Sequence, residues 1–235
     1  MGMNIKLQGM MQFIFERRIR QMKKLSGYFY ILLGIVFLGT AAFIVKNNLD
    51  ENASAGEASD HLLSEVIEQV PDVVLASEDH GDMPVVDVEG RSFIGTVQIP
   101  ELGLLLPIQS EWASDNAKVS VCRYEGSAYE NNLIVAGHNY IEHFGRLEEL
   151  TTGDSVVVTD MNGKSFYYEV VNIETLGAYD VEEMESGDWD LTLFTCTVGG
   201  SNRITVRCEA TGQVSATGDT PDVIKAAEES KHIRK

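Results

Sequence analysis

One stretch constrains this chain more than any other. Gly27 to Val45, GYFYILLGIVFLGTAAFIV, is 19 residues without a charge. At about 1.5 Å per residue a helix of that length reaches about 28 Å, close to the hydrocarbon thickness of a bilayer. Arg17, Arg18, Arg20, Lys23 and Lys24 precede it, whereas no base occurs from Asn47 to Gly90. The positive-inside rule then places the N-terminus in the cytoplasm and the C-terminal bulk outside the cell. Tyr28 and Tyr30 suit the interfacial belt on the inner side. A secretory leader is the competing reading, with Ala53-Ser54-Ala55 as a small-residue triplet downstream. The apolar run is longer than the about 7–15 residues of a typical leader, so a retained anchor is expected. Either reading exports the same domain.

Charge divides the chain. The net charge of −18 combines +6 over residues 1–46, −12 over 47–90 and −12 over 91–235. An acidic folded part repels phosphates, which argues against a nucleic-acid partner. Residues 46–90 read as a solvated acidic spacer. Within it, HLLSEVIEQV (61–70) holds one possible helical piece that Pro71 would end.

From Phe93 the pattern becomes that of strands. FIGTVQIP, LGLLLPIQ, NLIVAGH (132–138), DSVVVTD (154–160), SFYYEVVNIETL (165–176), LTLFTC (191–196) and RITVRCEA (203–210) are short apolar or alternating runs. Met161-Asn162-Gly163-Lys164 holds the Asn-Gly pair that favours a tight hairpin. Many short strands with turn signals predict an all-β sandwich or barrel. A short helix is expected at HFGRLEEL (143–150), and the tail from Thr211 reads as frayed or a peripheral helix.

Three cysteines are too few for a disulfide framework, and an odd count leaves a free thiol. Cys196 ends a strand run before a Gly-rich turn, which puts its sulfur at a sheet rim. Cys122 and Cys208 fit better as small buried hydrophobes. His138 follows a buried run and a glycine, so it also stands at a strand end. His143 is a nearby competitor, expected to face solvent. Arg203 opens the strand after Cys196 and can reach the sulfur across the hairpin. Arg207 shares its face but lies about 13 Å further along.

TLFTC followed by SNRITV resembles the signature of the sortases, the cysteine transpeptidases of Gram-positive surfaces. LIVAGHN resembles the family's histidine segment, and IGTVQIPELGLLLPIQ its opening strands. FGRLEELTTGDSVVVTDMNGKSFYYEV resembles the segment between histidine and cysteine. The likeness runs in order over residues 92–210. It implies an eight-stranded β-barrel with short helices, preceded by a transmembrane helix, with the site at one end of the barrel. It implies Cys196 as nucleophile, His138 as acid/base, Arg203 as stabiliser of the oxyanion or substrate, and Thr195 in support. It further implies substrates that are exported proteins bearing a C-terminal LPxTG-like sorting signal, with a cell-wall amine as acceptor. No long lid segment precedes the first strands, which favours wall anchoring over pilin polymerisation. No cofactor is expected; the acidic surface is compatible with calcium without specifying it. The implied organisation is a basic cytoplasmic segment (1–26), a transmembrane anchor (27–45), an acidic extracellular stalk (46–90), a catalytic domain (91–210) and a polar tail (211–235). Two other readings remain: an anchored β-barrel that binds peptide or wall polymer without chemistry, and a cysteine hydrolase with water as acceptor.

Overall fold

The computed structural model describes residues 2–76, 81–186 and 189–233. The side chains of Arg20, Lys23 and Lys24, part of the basic flank, lie outside the described ones, as do residues 77–80 of the expected spacer. The chain divides into two units, Met1–Glu51 and Asn52–Lys235. In the first, helix α1 (Gly2–Gln69) carries the apolar run, whose side chains are all exposed. By length and composition this helix can cross a membrane.

The second unit is a closed sheet with helices on its outside. Its strands are β1 (Val86–Val88), β2 (Arg91–Ile99), β3 (Leu104–Gln109), β4 (Val121–Glu125), β5 (Leu133–Gly137), β6 (Ser155–Asp160), β7 (Ser165–Gly177), β8 (Leu191–Cys196) and β9 (Asn202–Val214). They run β1-β2-β3-β4-β5-β8-β9-β7-β6, and β2 also pairs with β6. Strands β2 to β9 therefore form a ring of eight, with β1 appended to the start of β2. Two neighbours, β3–β4 and β5–β8, are parallel, and the β3–β4 step is the thin one, with only Ile108↔Val121 and Gln109↔Cys122 in register. At the seam the β2 backbone lies so close to β6 that a Cβ on Gly95 would sit 2.1 Å from the Thr159 carbonyl oxygen. Only glycine permits that approach.

Alternation sorts the side chains. Val97, Ile99, Leu106, Val135, Leu193 and Val206 point inward and fill the barrel. The Asn162-Gly163 hairpin forms between β6 and β7, with Gly163 at φ +81°. Buried Asp160 secures it by accepting hydrogen bonds from the backbone N–H groups of Asn162 (2.8 Å) and Lys164 (2.9 Å).

The expected solvated spacer is corrected from Asn52 on. Ala55, Ser59, Leu62, Val66 and Val70 recur at helical spacing and are all buried. Leu62, Val66 and Val70 pack with Phe93, Met161 and Val223 in a second apolar cluster outside the barrel. The apolar positions missed as a packing face are widely spaced and diluted by acids, so composition alone reads as solvated. Beyond β9, α4 (Asp222–Ile233) supplies Val223 to the same cluster, and Tyr167 donates a short hydrogen bond to Asp222. The expected helix over 143–150 is instead a set of turns ending in a 3-10 turn at Leu147–Glu149. His143, Phe144 and Leu147 are all buried there, and Gly145 is pressed against the Asn139 carbonyl. The Phe144 N–H bonds to the His138 carbonyl and the Gly145 N–H to the Tyr140 carbonyl, six and five residues back, where an α-helix would bond four back.

Candidate active site

Three adjacent strand ends build the site. β5 and β8 run parallel, with Gly137 opposite Thr195. Continuing that register by one residue sets His138 alongside Cys196. β8 and β9 are antiparallel, and Cys196 lies directly opposite Arg203. Directly opposed residues share one face, with Cβ atoms about 4.5–5.5 Å apart. His138, Cys196 and Arg203 all line one pocket of about 260 Å³.

That pocket lies at these strand ends, on the outer face of the barrel wall. The cause is alternation. Leu191 and Leu193 point into the core, so Phe194 and Cys196 point out. Thr195 therefore projects away from the pocket. Its side chain is buried and its Oγ1 has no hydrogen-bond partner among the described residues.

The environment separates the three cysteines, none of which is in a disulfide. Burial pushes the Cys122 thiol up to about 11 and the Cys208 thiol up to about 12. Both are sealed from solvent, whereas Cys196 is partly exposed. A thiolate is the nucleophile, so the two buried thiols are inert and Cys196 alone is accessible.

His138 is held below the usual imidazole range, first by burial and then by the charge of Lys118, with the Ser114 backbone acting in the opposite direction. Its Nε2 is buried and has no hydrogen-bond partner among the described residues. Gly137 matters here: a Cβ at this position would sit 2.8 Å from the Phe144 ring, which packs under the histidine loop. Arg203 Nη1 donates to the carbonyls of Gly200 and Asn202, each at 3.0 Å. Those bonds hold the guanidinium at the rim of the pocket.

His143 does not face solvent. It is fully buried, and burial pushes it down to about 4. Arg207 is no rival to Arg203 either. Its guanidinium is buried under the short helix α3 (Val181–Met184), where Nη1 donates to the Met184 carbonyl and to Thr192 Oγ1, each at 3.0 Å. Nη2 donates to the Glu183 carbonyl, and Nε pairs with Glu174 at 2.9 Å. Arg207 thus pins the segment that walls the pocket through Val181 and Met184. Trp112, Tyr124 and Phe194 complete the apolar lining, with Tyr124 and Phe194 edge to face at 5.4 Å. Phe194 was legible from its alternation with Leu193; Trp112 and Met184, on connecting segments, left no such signal. Among the described residues no group of three or more His, Cys, Asp or Glu side chains could hold a metal ion.

The sequence model of the sortase domain matches residues 97–211, a span that contains all three pocket residues. Residues 97–211 are a sortase domain. The sortase family implies a cysteine transpeptidase and a cell-wall setting in Gram-positive bacteria. Solved sortases have similar folds. Sortase C of Streptococcus pneumoniae is 20% identical, with 71% of this chain and 91% of that chain covered at a TM-score of 0.49. A sortase D5 transpeptidase of Clostridium perfringens is 21% identical, covering 71% and 98%, with a TM-score of 0.47. Sortase C1 of Streptococcus suis is 22% identical, covering 52% and 74%, with a TM-score of 0.46. No curated protein matches the chain.

Proposed function

We propose that this sortase is a membrane-anchored transpeptidase that cleaves a C-terminal, LPxTG-like sorting signal and joins the exported protein to a cell-wall amine. The supporting observation is the convergence of Cys196, His138 and Arg203 on one outward-facing pocket. The Cys196 thiolate attacks the scissile carbonyl carbon, forming a C–S bond. Arg203 stabilises the resulting oxyanion; one such donor is worth about 3–4 kcal/mol in other enzymes. The C–N bond then breaks, and the imidazolium of His138 gives its proton to the departing amine. The acceptor amine attacks the thioester, neutral His138 takes its proton, and the thiolate leaves with the new amide formed.

The lowered affinity of His138 for its proton works against the imidazolium form. Thr195 supports the wall beneath Cys196 from the opposite face. The Gly27–Val45 segment of α1 holds the enzyme in the membrane with its N-terminus in the cytoplasm and the barrel outside. Anchoring enzyme and exported substrate at one surface raises their effective concentration without tight binding.

The test uses the full chain in detergent with an LPxTG-type peptide, scored by mass spectrometry. A thioester adduct on Cys196 is expected, lost in Cys196→Ala and retained in Cys122→Ala. Adding hydroxylamine or a peptide amine should give an amide product. A Cys196→Ala protein that still cleaves the peptide sinks the proposal. Hydrolysis alone, unaffected by amine, makes the enzyme a hydrolase, and binding without cleavage makes it a receptor.

A further inference from the structure

The helix ahead of the barrel does more than cover apolar surface. Its lower half, Leu62 to Val70, packs on the outer cluster. Residues 52–59 of the same helix meet the segments around His138. Asn52 Oδ1 accepts a hydrogen bond from the Ile141 backbone N–H at 2.8 Å. At Gly56 a Cβ would sit 2.8 Å from Glu142 Cγ, so the helix backbone approaches the loop closely. Ala55 is buried, and its backbone acts on the imidazole of His143. Ser59 Oγ lies 3.4 Å from Ser120 Oγ, both side chains being buried.

These contacts fall on the two strips of chain that fix His138. The first is its own loop, closed by Phe144 N–H to the His138 carbonyl (3.2 Å) and Gly145 N–H to the Tyr140 carbonyl (2.8 Å). In that loop the rings of His138, Tyr140 and His143 follow one another with centroids 5.3 and 5.5 Å apart. The second strip is α2 (Ser114–Ala117) and the residues after it. Its Ser114 backbone and Lys118 act on His138, and Ser120 ends it. A packed chain of side chains transmits displacement, because interiors have few voids to absorb it.

We infer that residues 52–59 brace the His138 loop, with Asn52 and Ser59 as positioning residues for the acid/base. This rests on the proposed role of His138. Other groups around that imidazole are Cys196 and Arg203 from the β8–β9 hairpin, Asp180 from the segment before α3, Lys118 beyond α2, and Tyr140 and His143 from its own loop.

The experiment follows alkylation of Cys196 by iodoacetamide against pH in the full chain, which needs no peptide substrate. His138→Ala defines the profile of an uncoupled thiol. Asn52→Ala and Ser59→Leu should move the profile toward it, with about a threefold to tenfold change in rate at pH 7 and the melting temperature held by Asn52→Ala. Ser59→Ala, which fits the same space, and Asn52→Asp, which keeps the acceptor, should retain the wild-type profile. Asn52→Ala carries the test if Ser59→Leu fails to fold. Wild-type profiles in folded Asn52→Ala and Ser59→Leu overturn the brace while leaving the catalytic reading intact. Identical profiles in wild type and His138→Ala overturn the His138 role, and the brace with it.

Discussion

At the residue scale the instructive side chain is His143. Sequence places two histidines five residues apart, and a strand-end argument separates them only by topology. The structure separates them by environment: His138 opens onto the pocket, whereas His143 is sealed beneath α1. A histidine held near 4 while its unfolded counterpart titrates near 6.5 penalises the folded state as pH falls. Between those values the unfolded chain binds the extra proton, so stability rises with pH in that window. The difference in unfolding free energy between wild type and His143→Leu should therefore shift by about 2–3 kcal/mol in favour of the variant from pH 7 to pH 4. Denaturant titration at a series of pH values measures it; a pH-independent difference refutes it. The meeting of Cys196, His138 and Arg203 at one pocket was legible because strand ends and hairpins are local features. The burial of His143 was not, because the helix that covers it lies about 90 residues earlier in the chain.

At the scale of elements, the β8–β9 hairpin serves two ends at once. Residues 203, 205 and 207 share its outer face; Arg203 stands at the pocket, and Arg207 ties down α3. Periodicity predicts that shared face but not the difference in duty, which depends on the segment folded over it. Arg207→Ala leaves two buried carbonyls, Thr192 and Glu174 without their partner, an expected loss of about 2–4 kcal/mol. It should also raise KM for a sorting-signal peptide more than it lowers kcat, since the loosened segment lines the pocket. Chemical denaturation and steady-state kinetics of the same variant check both parts. The strands themselves were largely readable from alternation and Gly/Asn turns. The outward position of the site also followed from alternation, once Leu191 and Leu193 were counted as core.

For the molecule as a whole, the folded unit begins at Asn52 and extends into α4. The strand pattern suggests a boundary near residue 91, because the helices outside the barrel carry few apolar residues. Their stripes become intelligible only when α1 and α4 meet at Leu62, Val66 and Val223. Deleting residues 220–235 removes Val223 and the Tyr167–Asp222 bond, and should lower stability by about 2–3 kcal/mol. For a unit of this size that is a fall in Tm of about 5–10 °C, measurable by calorimetry. An unchanged Tm would mean that the second cluster adds nothing.

Placing the Cys196 sulfur on the exterior of the wall divides labour between the two surfaces of one strand. Leu193 answers to the interior and Cys196 to the solvent side, so neither is compromised for the other. Segments that wall the pocket from outside, such as residues 178–186, can then be exchanged or lengthened without repacking the barrel interior. A scaffold arranged this way is free to acquire new specificities by replacing its outer trim.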